Sequence, residues 1–187
     1  MKLFATPRAL IDYNTLLLHQ LTALVAQHRP AQDGAFAGFL GPHVRHIIEH
    51  YEALTGPCAQ AAPAIGAVVN YDARKRDLSV QTEPRVALER VAALRSALQA
   101  MAAWPDAAFA APLALHSQGG EMGELCFASP STPLRELAFL ASHCVHHFAI
   151  IKLHAQQKGQ DLGPYFGKAP ATVAHEAAQR EAAQAGS

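Results

Sequence analysis

Long apolar runs are missing from this sequence. Half of its 187 residues are hydrophobic, yet no uninterrupted stretch approaches the roughly 18–20 apolar residues that span a bilayer as a helix, so no membrane segment is expected. A charge excess of either sign is missing too, since 15 Lys and Arg balance 15 Asp and Glu. Without a basic surplus to neutralise phosphates, nucleic acid is not an expected partner. Zero net charge also gives copies little repulsion, which favours self-association. Cysteine is scarce. Cys58, Cys126 and Cys144 form neither a disulfide framework nor a CxxC site and read as buried or idle thiols. The start, Met1-Lys2-Leu3-Phe4-Ala5-Thr6-Pro7, has charge but no apolar stretch before a small-residue cleavage site. It predicts no signal peptide, and the expected location is the cytoplasm. No internal repeat is evident.

Helical periodicity is what the chain has in quantity. Thr6 as cap and Pro7 in the first turn open a helix over residues 7 to about 28, with Leu10, Tyr13, Leu17, Leu21, Leu24 and Val25 on one face. Arg29-Pro30 ends it, and Ala31-Gln32-Asp33-Gly34 is a short loop. A second helix covers about 35–54 with Phe36, Leu40, Val44, Ile47, Ile48, Tyr51 and Leu54 inward, stopped by Gly56-Pro57. A long irregular connection over about 58–83 carries the run Asn70-Tyr71-Asp72-Ala73-Arg74-Lys75-Arg76-Asp77. A third helix starts near Pro84 with Thr82 as its expected cap and closes at Trp104-Pro105. Between 106 and 132, apolar pieces flank Gly119-Gly120 in the manner of a small hairpin. The fourth helix opens with Thr132 as cap, Pro133 and Glu136, and runs to about Gln157, where Lys158-Gly159 terminates it. Residues 162–170 are an expected strap, and 171–187 an Ala-rich tail, either a short exposed helix or disordered. The expected fold is all-α, a four-helix bundle with long crossover connections over 1–170.

Histidine is the unusual residue, with 11 in the chain. His143 and His147 sit one turn apart and about 40° apart around a helix, so both imidazoles can reach one metal ion. His146, about 100° from His147, faces elsewhere. On the second helix His43, His46 and His50 fall within an arc of about 60°, and any of them can supply a third ligand. His43 and His50 border the apolar stripe, so the face count favours either of them over His46. Three protein ligands with positions left for water is how catalytic metal sites are built. The competing reading is that these histidines are merely hydrogen-bonded or pH-titrating surface groups. No carboxylate occupies the i, i+3 position that a di-iron bundle needs.

The ordered stretches Gly41-Pro42-His43-Val44-Arg45-His46-Ile47-Ile48-Glu49, Val69-Asn70-Tyr71-Asp72-Ala73-Arg74-Lys75-Arg76-Asp77, Arg135-Glu136-Leu137 with His143-Cys144-Val145-His146-His147, and Phe166-Gly167-Lys168-Ala169-Pro170 resemble the DinB-like superfamily. These are metal-binding four-helix bundles that include YfiT-type proteins. The resemblance implies one ligand from the second helix and two from the fourth, His143 and His147. The Gly-x-x-x-x-His frame points to His46 and a Val-Arg-x-x-x-x-His frame to His50; the His43-Val44-Arg45-His46 stretch makes His46 the choice. It implies zinc or nickel, with iron or manganese as alternatives, and a homodimer.

The function so implied is a metal-dependent enzyme of the thiol transferase or hydrolase type acting on a small molecule. Glu49, His50 and His146 are base candidates, and the lack of a clear base weakens hydrolysis more than thiol transfer. The alternative is a non-catalytic metal- or ligand-binding homodimeric bundle. In the charged loop, Arg74 or Arg76 can bind an anionic substrate group at the metal mouth. The preferred reading is structural, with Asp72 and Asp77 pairing with those arginines to pin the loop. Tyr71 is either a proton donor or, as preferred, a packing residue.

Overall fold

The computed structural model describes residues 6–28, 34, 36–58 and 66–185. The expected Arg29-Pro30 helix end, most of the 31–34 loop, the start of the second helix at Ala35 and part of the long connection fall outside these residues. Contacts divide the chain into two units, Met1–Ala141 and Ser142–Ser187. Among the described residues no helix is long and apolar enough to cross a membrane.

The first unit begins with α1, Pro7–Ala26. Thr6 caps it as its sequence predicts, Oγ1 accepting from the Ala9 amide at 3.4 Å. Leu17, Leu18, Leu21, Leu24 and Val25 bury one face, each contributing roughly 1.5–3 kcal/mol by leaving water. Asn14 lies fully buried in that apolar face, and every part of its amide is engaged. Nδ2 donates to the carbonyls of Leu10 at 2.8 Å and Leu137 at 3.2 Å, and Oδ1 accepts from the Tyr51 hydroxyl at 2.7 Å. A buried polar group is tolerated on those terms.

A π-turn, Phe36–Leu40, leads into α2, Gly41–Thr55. Gly41 sits against the Gln81 carbonyl so closely that any Cβ would collide with it. The stretch expected to be irregular holds two short elements, β1 (Val68–Asn70) and α3 (Leu78–Thr82). Asp77 caps α3, its Oδ1 accepting from the Ser79 amide at 3.0 Å and hydroxyl at 2.7 Å. Next comes α4, Pro84–Met101, which packs on α1, α2 and α3. Thr82 does not cap it, because Thr82 closes α3 and donates to the Leu78 carbonyl at 2.9 Å. The residue before α4 is Glu83, with no side-chain cap.

The mostly helical chain carries a small sheet that an all-α reading leaves out. After a 3-10 turn at Asp106–Ala110 come β2, Leu113–Gly119, and β3, Leu125–Ser131. They pair antiparallel, with Leu113 opposite Ser131 and Gly119 opposite Leu125. The expected hairpin around Gly119-Gly120 is therefore present. β1 adds in parallel to β2, Val69 beside Leu115, giving the order β1-β2-β3.

The helix α5, Pro133–Gln157, starts where its cap predicts, with the Arg135 amide donating to Thr132 Oγ1 at 3.2 Å. The division between the two units falls within it. The second unit continues along α5 to a left-handed stop at Gly159 (φ 72°). The expected strap is present: Phe166 stacks on Phe148 at 4.5 Å, and Lys152 Nζ donates to the Gly163 carbonyl at 2.8 Å. At Gly167 a Cβ would meet the backbone of Phe148 and Ala149 at 2.7 Å, so only glycine permits this approach. The tail is helical, α6, Pro170–Ala185.

Candidate metal centre

In the first unit, α2 presents three histidines in three surroundings. The His43 ring lies 4.8 Å from that of Phe39. His46 is half-buried, its ring 4.0 Å from that of His50. His50 is buried, with Nδ1 2.7 Å from the His46 carbonyl, and its ring stacks on Tyr71 at 5.3 Å and 13°. The His50 position, which the face count favours as a ligand, is thus packed against Tyr71 and turned to its own helix.

The charged loop does not pair with itself as expected. Asp72 Oδ2 accepts from the Gln118 amide at 2.8 Å, pinning the loop to β2. Asp77 caps α3 and meets Arg90 at 3.2 Å. Arg76, in a left-handed conformation at φ 52°, donates to the Asp72 carbonyl at 3.4 Å. Arg74 reaches the histidines instead, Nη1 lying 2.7 Å from His46 Nδ1 and 3.0 Å from His50 Nδ1. Burial lowers the Arg74 pKa, opposed by the nearby Glu49 carboxylate. The loop is pinned, as the structural reading has it, but by non-local partners.

Through a carboxylate that also marks a helix start, Tyr71 belongs to a buried network. Its hydroxyl donates to Glu136 Oε2 at 2.7 Å. Glu136 is fully buried, and its Oε1 accepts from Ser131 Oγ and, at 2.8 Å, from Arg135 Nη1. Desolvation first, then the hydrogen bond to Glu136, pushes the Tyr71 phenol far above its ordinary range, so it holds its proton. The pairing joins residues 65 apart in sequence, and nothing local signals it. Of the base candidates in this unit, Glu49 is buried and accepts from the Asp77 amide at 2.7 Å.

In the second unit, α5 carries His143, His146 and His147. The rings of His143 and His147 are 4.7 Å apart, and those of His143 and His146 6.4 Å apart. His143 and His147 are half-buried, whereas His146 is exposed, the difference the helical angle predicts. The thiols are inert or peripheral: burial raises Cys58 to about 11 and Cys144 further, and Cys126 is exposed.

His46 in the first unit, and His143 and His147 in the second, are each half-buried imidazoles. His143 and His147, one turn apart on α5, form a pair that can reach one metal ion, and neutral imidazole is a common ligand for zinc and similar divalent ions.

No known family matches the chain, and no solved structure does. Among curated proteins, an FK506-binding protein 5 of Rhizopus delemar is 27% identical over 108 residues, which is 58% of this chain and 27% of that protein. The chain therefore spans about a quarter of the length of this relative, a partial likeness that shows no family.

Proposed function

We propose that this chain is a DinB-like four-helix bundle, formed by α1, α2, α4 and α5, that binds one divalent ion through His46, His143 and His147 and uses it in a reaction of the thiol transferase or hydrolase type. The observation that carries the reading is the half-buried pair His143 and His147 on α5, their rings 4.7 Å apart. Zinc and nickel suit an all-imidazole donor set best, with iron and manganese as alternatives. Such an ion supplies a Lewis acid that lowers the pKa of a water or thiol placed on it.

The surrounding residues position rather than react. Glu136 and Tyr71 form a buried pair in which the phenol keeps its proton, and Tyr71 in turn fixes the plane of His50. Glu49 is committed to the Asp77 amide. A hydrolase needs a base to accept a proton from water, whereas a thiol activated by the ion needs none. These commitments therefore support thiol transfer over hydrolysis. A homodimer completes the reading, supported by zero net charge and by β3, where Leu125 and Phe127 stand exposed.

X-ray absorption at the nickel edge of nickel-loaded protein tests the ligand set. About three imidazoles per ion support it, and an all-oxygen shell contradicts it. Thiol conjugation to small electrophiles, lost on chelation and restored by the ion, tests the reaction.

A further inference from the structure

Beside the charged loop, within the first unit, lies a cavity of about 450 Å³ lined by Arg74, Lys75 and Arg90 together with Glu49, Glu52 and Asn70. That is the size of a small-molecule site. Not all of its charges are available to a ligand. Arg90 is held by both oxygens of Glu52, at 2.5 and 2.6 Å, and by Asp77. Asn70 Oδ1 accepts from the amides of Asp72 and Ala73. Arg74 and Lys75 then face one carboxylate, Glu49, and the lining is net positive. Arg74 Nε is moreover buried with no hydrogen-bond partner. Because Nε is buried, an oxyanion in the cavity reaches it only if the guanidinium turns, and that turn takes Nη1 off His46.

The other edge of the same guanidinium touches His46. Arginine only donates, so in the 2.7 Å contact His46 Nδ1 is the acceptor, and a neutral imidazole then carries its proton on Nε2. A metal taken through Nδ1 claims the lone pair that Arg74 uses. A metal taken through Nε2 moves the proton to Nδ1, where it points at Arg74. Either way, this hydrogen bond and a metal on His46 exclude each other. A ligating histidine ordinarily turns its second nitrogen to a carboxylate or carbonyl, not to a cation.

We propose that the cavity is a subsite for a small oxyanion, such as a carboxylate or sulfate group, and that Arg74 couples it to the metal by leaving His46 when it binds the anion. The inference rests on the three-histidine reading and adds to it a substrate class, an acidic small molecule. By linkage, anion and metal each tighten the binding of the other.

Nickel affinity, measured by chelator competition on the full chain, tests this with wild type, Arg74→Met and Arg74→Gln, in chloride and in sulfate at equal ionic strength. Circular dichroism on each variant confirms that it folds. In chloride both variants should bind nickel roughly tenfold to a hundredfold tighter than wild type, the weight of one charge-assisted hydrogen bond. Sulfate should tighten nickel binding to wild type and leave the variants unchanged. Equal affinity in wild type and both variants overturns the coupling and leaves the three-histidine site standing. An equal sulfate effect in all three proteins does the same, because the anion would then act without Arg74. Failure of nickel to bind any of the folded proteins removes both readings.

Discussion

Removing the Tyr71 hydroxyl should cost more than removing the Tyr51 hydroxyl. Tyr71→Phe keeps the ring on His50 and Phe139 and takes away only the donor to Glu136 Oε2 at 2.7 Å. Glu136 has 0% exposure, so water cannot replace that donor. A hydrogen bond to an ionised group contributes roughly 1.5–3 kcal/mol, and a stranded buried acceptor pushes the loss toward the upper end. Tyr51→Phe is the matched control. Its hydroxyl donates to a neutral amide, Asn14 Oδ1, also at 2.7 Å, and its loss should cost about 0.5–1.5 kcal/mol. Urea unfolding followed by circular dichroism separates the two. With a slope of about 1–3 kcal/mol per molar urea, Tyr71→Phe should lower the midpoint by about 1 M. A loss below about 0.5 kcal/mol, or one smaller than that of Tyr51→Phe, refutes the buried network.

Three other outcomes follow from the same structure. His147→Ala should abolish stoichiometric metal binding while His146→Ala retains it, since only His147 shares a face with His143; equal losses by mass spectrometry sink the i, i+4 pairing. Gly41→Ala should destabilise by about 1–3 kcal/mol through its collision with the Gln81 carbonyl, read as a lowered thermal midpoint, and an unchanged midpoint contradicts that packing. Burial raises the Cys58 thiol from an ordinary value of 9.0 to about 11. The folded state therefore keeps a proton that the unfolded chain loses. That contribution is fully present below pH 9 and falls away between pH 9 and 11, by up to about 1.4 kcal/mol per pH unit. Cys58→Ala should flatten the alkaline slope, and an identical slope in the variant rules this out.

Where the chemistry is local, the sequence is legible. Thr6-Pro7, Thr132-Pro133 and Lys158-Gly159 mark helix ends by capping and turn chemistry, and each end falls within a residue or two of its mark. The histidine angles on α5 are equally local, and the exposed His146 beside half-buried His143 and His147 follows from them. What escaped depends on distant partners. β1 is three residues long, too short for any alternation, and exists because β2 lies beside it. α3 has five residues and depends on the Asp77 cap, so Thr82 looked like the cap of the next helix. The loop charges were expected to satisfy one another, yet Asp72 serves β2 and Arg74 serves α2. The face count on α2 favoured His43 or His50 because apolar neighbours mark burial. A metal ligand, however, needs a half-buried position that substrate or water can still reach. His43 and His46 both have that exposure, and His50 is buried.

The most direct test of the three-histidine site is metal content by mass spectrometry on tag-free protein purified without chelator, for wild type, His46→Ala and His50→Ala. Three-histidine ligation gives about one divalent ion per chain in wild type and in His50→Ala, and none in His46→Ala. Retention in His46→Ala, or no ion in wild type even after reconstitution with zinc, nickel, iron and manganese, would contradict it.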